Sequence, residues 1–356
     1  GMAYAEREGG DKAENMEEAL VYFRRALDVR TRETVPLQWA GTQHGMGKAY
    51  TQRVDGGKAA NLEEAVACYR RALEVWTRET VPLQWASTQL ELADVCKRRI
   101  GCDKDANQHF KEMLACYRGV LEVRTRETAP DAWAEMQIRM GKAYAQAVNG
   151  DTAANMEEAV VCYQSALNVW TRETAPLLWA TTQVRLANVH KQLVGGNKAV
   201  NEAKIEQMKA CFHCALEVWT RESAPTSWAK TLFSMGKACM RWADGDMAVN
   251  MEEAVTCYRR VLQVWTREVA PQQWATTQLN LAFALRRRTS SDAATNMEEA
   301  LPCYRYALEV VTREYNAKVW ARVQFSMGTA YAERVYGDKA ANWEDAVACY
   351  RRALEV

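Results

Sequence analysis

The residues with the most reactive chemistry to offer are cysteines and histidines. Cys211-Phe212-His213-Cys214 carries three metal-ligating side chains within one helical turn, and His190 stands upstream. Two ligands three residues apart can share a helix face. Zinc-holding thiolate pairs, however, usually sit on tight turns and come with a second pair, which is missing here. Cys211 also recurs by position, as Cys68, Cys116, Cys162, Cys257, Cys303 and Cys349 each directly precede an aromatic or aligned residue of a repeated segment. Equivalent residues of neighbouring helical pairs stand about 20 Å apart, roughly two helix diameters. A disulfide tolerates only about 7 Å between Cα atoms. These cysteines are therefore expected to be small packed thiols, and no metal site is expected.

Catalysis finds no better footing. The four histidines (His44, His109, His190 and His213) do not recur with a companion Ser, Cys or Asp that would form a nucleophile and its base. Gly47-Lys48 follows Met46 in mid-helix, where no amide is free to cradle phosphate, and no GxxxxGK[ST] loop exists. Glu63-Glu64 falls at a helix start, where the helix dipole favours acidic residues. No catalytic residue, no enzyme activity and no cofactor is expected.

Charge excludes further classes. Lys and Arg number 46 against 45 Asp and Glu, a net charge of +1, so the basic excess that drives nonspecific nucleic-acid or acidic-membrane binding is absent. Only 7 prolines and 18 glycines punctuate 356 residues, too few for a turn-dense β protein. No apolar run approaches the roughly 20 residues needed to cross a bilayer, and the N-terminal residues lack a signal-peptide pattern. A cytoplasmic, mostly helical protein is expected.

An internal repeat must position everything else. Thr-Arg-Glu begins at Thr31, Thr77, Thr125, Thr171, Thr220, Thr266 and Thr312, and Trp-Ala follows eight residues later each time, from Trp39 to Trp320. The spacings are 46, 48, 46, 49, 46 and 46, a period that signals a solenoid or a propeller. Trp39, Gln43, Met46, Gly47 and Tyr50 form one helical stripe. With Pro36 suited to the first turn, this predicts a helix A over about 36–53. Asn61 with Glu64 predicts a cap, and Ala65, Val66, Tyr69, Ala72, Leu73 and Trp76 predict a helix B over about 62–78. The same Asn start recurs at Asn15, Asn155, Asn250, Asn296 and Asn342. Thr-Arg-Glu is expected to be structural, with Arg32 and Glu33 tying helix B to the next repeat, and the Trp row is expected in the core.

A large residue, Gly and Tyr in helix A (Met46, Gly47, Tyr50), then Ala-x3-Tyr-x2-Ala in helix B (Ala65, Tyr69, Ala72), resembles the tetratricopeptide repeat. The match covers the whole chain, with about six residues added in each link relative to the usual 34-residue unit. The resemblance implies an all-α fold, a right-handed α-solenoid of stacked antiparallel helix pairs. One array over 1–356 is expected: a partial repeat 1–35, full repeats at about 36–81, 82–129, 130–175, 176–224, 225–270 and 271–316, and a partial repeat 317–356. The half-repeats at both ends suggest a piece of a longer array. Extra residues at 102–110 and 195–205 account for the long spacings.

Lys48, Lys142 and Lys237 lie nine residues past the helix A Trp, and Lys97, Lys191 and Arg286 lie twelve past it. Three residues is about one turn along the same face, so these six cations can form one row. In the family the matching helix A positions line a concave peptide groove. The resemblance thus implies a basic groove for an acidic or C-terminal carboxylate segment, with Leu90, Ile138, Val184, Phe233, Leu279 and Phe325 as candidate apolar pockets. The expected function is a noncatalytic scaffold for a peptide or partner protein, with neither nucleic acid nor membrane as partner. Two alternatives stand beside it: a module that self-associates head to tail through its open ends, and the sensor arm of a larger protease or NTPase signalling protein.

Overall fold

A computed structural model describes residues 1–2, 12–101, 105–147, 150–195, 198–241, 247–289 and 292–356. Among these residues every regular element is an α-helix. The chain groups into two compact units, Gly1–Thr171 and Arg172–Val356. In the first, α1 (Lys12–Val29) precedes three helix pairs: α2 (Pro36–Gln52) with α3 (Lys58–Leu73), α4 (Pro82–Ile100) with α5 (Ala106–Val123), and α6 (Pro130–Ala145) with α7 (Thr152–Leu167). The second holds four pairs: α8 (Pro176–Leu193) with α9 (Lys198–Val218), α10 (Pro225–Arg241) with α11 (Met247–Val261), α12 (Pro271–Arg287) with α13 (Ala293–Leu308), and α14 (Arg313–Glu333) with α15 (Lys339–Leu354).

Helix A starts where proline predicts it, because a ring nitrogen at the first turn forfeits no intrahelical hydrogen bond. The last copy has Ala317 instead of that proline. There α14 runs on from Arg313 through a non-helical Asn316 (φ −153°), with Thr312 and Asn316 side chains capping Tyr315 and Val319 amides.

Close packing in four of the pairs rests on a missing side chain, and Ala93, Ala187 and Ala282 take the glycine's place in the other three. A Cβ on Gly47 would fall 2.6 Å from the Tyr69 ring, and one on Gly141 would fall 2.7 Å from the Tyr163 ring. Tyr69 is fully buried, as are Ala65 and Ala72 beside it. Burying a large side chain of this kind contributes about 2–3 kcal/mol. The repeat cysteines sit in the same core as free thiols, and burial pushes the Cys68 thiol up to about 11.

Helix B departs from expectation at both ends. It opens at Lys58 rather than after Asn61, and it closes at Leu73. The six repeat asparagines each stand three residues after the helix's first residue, and all but Asn155 are buried. Asn61 donates back to the Asp55 carbonyl (2.8 Å) and accepts from Arg53 (3.3 Å), latching the turn that Gly56 makes at φ 83°. Asn296 and Asn342 repeat the latch on Arg288 and on Tyr336 with Arg334. Capping falls instead to aspartates one turn earlier: Asp151, Asp292 and Asp338 accept from amides at the starts of α7, α13 and α15.

The Thr-Arg-Glu segment is structural, by a route that corrects the role given to its glutamate. Thr31 and Thr34 exchange hydroxyl and amide hydrogen bonds across a tight turn, repeated at Thr77/Thr80, Thr125/Thr128 and Thr220/Ser223. The arginine reaches forward to the end of the next helix B: Arg32 to Glu74 (2.6 Å), Arg172 to Glu217 (2.6 Å), Arg267 to Glu309 (2.5 Å), Arg313 to Glu355 (3.1 Å), and Arg78 to Glu122. Where no carboxylate stands there, Arg126 donates to the Asn168 carbonyl and Arg221 to Gln263. Glu33 does not cross. It folds back on its own backbone amide and Thr31, which hold its carboxyl below the usual range. Both partners of Arg172–Glu217 are about half exposed, so Arg172→Ala is expected to lower the unfolding free energy measured in urea by less than about 1 kcal/mol. A loss of several kcal/mol would contradict this surface role.

The tryptophan row is less buried than expected. Only Trp228 lies in the core, while Trp39, Trp85, Trp133, Trp179, Trp274 and Trp320 are half-buried. Arg32 lies over the Trp39 ring and Arg260 over the Trp228 ring.

Candidate ligand and partner surfaces

Helix A holds the six sequence-selected cations, and the structure divides them. Lys48 lies 3.9 Å from Glu91, and Arg286 pairs with Glu333 at 2.9 Å, so both are compensated. Lys97, Lys142, Lys191 and Lys237 make no ion pair among the described residues. Phe233 lies under the Lys237 ammonium and packs against Tyr258 and Trp265. Phe325 is exposed beside Tyr350, whereas Leu279 is 2% exposed and offers no pocket.

In the second unit three cations crowd together. Burial, and then repulsion from Lys237 and Arg241, hold the Lys191 ammonium below the ordinary lysine range.

In the first unit Lys97 and Lys142 flank a cavity of about 590 Å³ among α4, α5 and α6. Ile100, Phe110, Met113, Tyr117 and Ile138 give it an apolar floor. Glu135 and Arg139 line it too, paired with each other at 2.8 Å, and Arg139 also reaches Asp94 at 3.4 Å. Burial pushes the Tyr117 hydroxyl up to about 12, a sign of how dry that floor is.

Sequence reading missed this cavity as such. Phe110 occupies the position held by Leu62, Met156, Met251 and Met297, all of which are buried. Phe110 itself stays half-buried, its ring edge-on to Tyr144 at 6.0 Å. The one signal was the insertion at 102–110, whose described end supplies Ala106 and Phe110; residues 102–104 lie outside the described residues, as do residues 196–197 of the other insertion.

The cysteine–histidine cluster does not converge. Cys211 and His190 are buried, Cys214 is half-buried, and the exposed His213 sits 3.8 Å from Glu253. Among the described residues no three potential ligands share a metal-sized site. No described helix is long and apolar enough to cross a membrane.

The consecutive antiparallel helix pairs, four of them with a glycine in helix A facing a tyrosine in helix B, define the fold as a tetratricopeptide-type helical repeat. The C-terminal part of a TPR repeat-containing protein from Cytophaga hutchinsonii is similar in structure at a TM-score of 0.56 and 9% identity, covering 83% of this chain and 90% of that one. Looser likenesses are BtubC from P. vanneervenii (TM-score 0.46, 20% identity, 70% of this chain and 88% of that one) and the P58(IPK) TPR domain (TM-score 0.27, 14% identity, 96% and 88%). No protein-family model matches the chain. No curated protein matches it either.

Proposed function

We propose that this chain is a noncatalytic interaction scaffold whose helix A surfaces bind an acidic segment of a partner protein. The observation that carries this reading is the mutual repulsion of Lys191 with Lys237 and Arg241, three cations that make no ion pair among the described residues, set beside the aromatic Phe233. Such a surface rewards a peptide that brings carboxylates and an apolar residue together. A scaffold of packed hairpins loses little entropy on binding, so modest contacts can sum.

Selection of displayed random peptides on the full chain tests this. Peptides rich in Asp and Glu are expected to emerge. The double variant Lys191→Glu, Lys237→Glu is expected to bind them at least about tenfold more weakly, a change of about 1.4 kcal/mol, with its helical circular dichroism unchanged. Peptides without acidic bias, or equal affinity for the variant, would discard the reading.

A further inference from the structure

We infer that the cavity among α4, α5 and α6 is a binding site for a small organic carboxylate with an apolar body. This goes beyond the partner-protein reading, which is carried by Lys191, Lys237, Arg241 and Phe233. Three features carry it. The volume of about 590 Å³ falls within the range of pockets that take single small molecules. Its floor is apolar, built from Phe110, Met113, Tyr117 and Ile138. Its unpaired charge is positive: Glu135 and Arg139 pair with each other, while Lys97 and Lys142 make no ion pair among the described residues.

Leu62, Met156, Ile205, Met251 and Met297 are buried at the matching position and Trp343 is exposed in the last pair, whereas Phe110 stands half-open against Tyr144. An apolar body filling the space covers the half-open Phe110 ring and gains contact with the buried Met113, Tyr117 and Ile138, and a carboxylate at the rim gives Lys97 and Lys142 a counter-charge that none of the described residues supplies. A cationic or neutral head group gains nothing from the rim, so selectivity for anions is the signature.

Decanoate and decyltrimethylammonium, which share a chain length and differ in head-group charge, test this on the full chain by calorimetric titration. Decanoate is expected to bind at one site, at least about tenfold more tightly than the ammonium. In Lys97→Glu, Lys142→Glu, two changes on side chains that are not fully buried, this preference is expected to be lost or inverted. Ile138→Trp, which fills the floor, is expected to abolish decanoate binding while Lys191→Glu, Lys237→Glu leaves it intact. Equal binding of the two amphiphiles to the unaltered chain, or decanoate binding undisturbed in both the rim and the floor variants, would overturn the inference. A short peptide ending in a free leucine carboxylate serves as a third ligand. If it binds this cavity more tightly than decanoate, the site belongs to peptide termini and the small-molecule assignment fails.

Discussion

Gly47→Ala is expected to destabilise the Gly1–Thr171 unit by about 1–3 kcal/mol, the usual effect of overpacking, while Gly41→Ala in the same helix is expected to stabilise it by up to about 1 kcal/mol. Both residues lie inside α2, so helix propensity favours alanine equally at each. Their surroundings differ. A methyl on Gly41 would meet the Trp76 ring at 3.5 Å, ordinary contact, whereas one on Gly47 would enter the Tyr69 ring at 2.6 Å. Tyr69 is fully buried and has no room to swing aside, so α2 and α3 must move apart. Urea unfolding followed by circular dichroism, with both variants measured in one background, reads the two signs directly. Shifts of the same sign would show that the glycine does not set the spacing of the pair.

Acidification is expected to remove stability on the order of 3 kcal/mol through His190 alone. The residue is 3% exposed, and burial, then repulsion from Lys204, push its imidazole down to about 4 from 6.5. The folded protein therefore keeps it neutral, while the unfolded chain takes up a proton below about pH 6.5. Its contribution is full above that pH and is lost as the pH falls toward 4. The size follows from 1.36 kcal/mol per pH unit across that gap, an order-of-magnitude figure. His44 acts in the same direction: burial, then Lys48, push it to about 4 as well. His190→Phe is expected to flatten part of the decline in urea midpoint between neutral and acid pH. Parallel pH profiles for the variant and the unaltered chain would rule the residue out.

The physics explains which parts of this molecule were readable. Helix A was bounded to within a residue because Pro36 and its equivalents act locally on their own backbone. The glycine–tyrosine contact was readable because it returns in four copies, at Gly47/Tyr69, Gly141/Tyr163, Gly236/Tyr258 and Gly328/Tyr350. The asparagine start was misjudged because Asn61 looks like a cap in isolation, and its true partners, Arg53 and the Asp55 carbonyl, are brought near by the Gly56 turn. A usable signal was present: an arginine stands eight residues before the asparagine at Arg53/Asn61, Arg288/Asn296 and Arg334/Asn342. The cavity was not legible at all. It depends on how far α5 closes on α6, a sum over non-local contacts that no single residue type announces. Of the six cations, pairing decided which stay free, since Glu91 and Glu333 come from neighbouring hairpins and carry no mark of that role.

The forward reach of the Thr-Arg-Glu arginine bears on how such a protein changes length over generations. Each copy donates a guanidinium to its successor and supplies an acceptor to its predecessor, 42 to 45 residues away. Duplicating or deleting one whole copy in frame leaves every donor with an acceptor, whereas a fractional change strands a donor with nothing to hold. Selection can therefore add or subtract hairpins freely only in integer steps, and the seven-fold constancy of this tripeptide is the mark of that arithmetic.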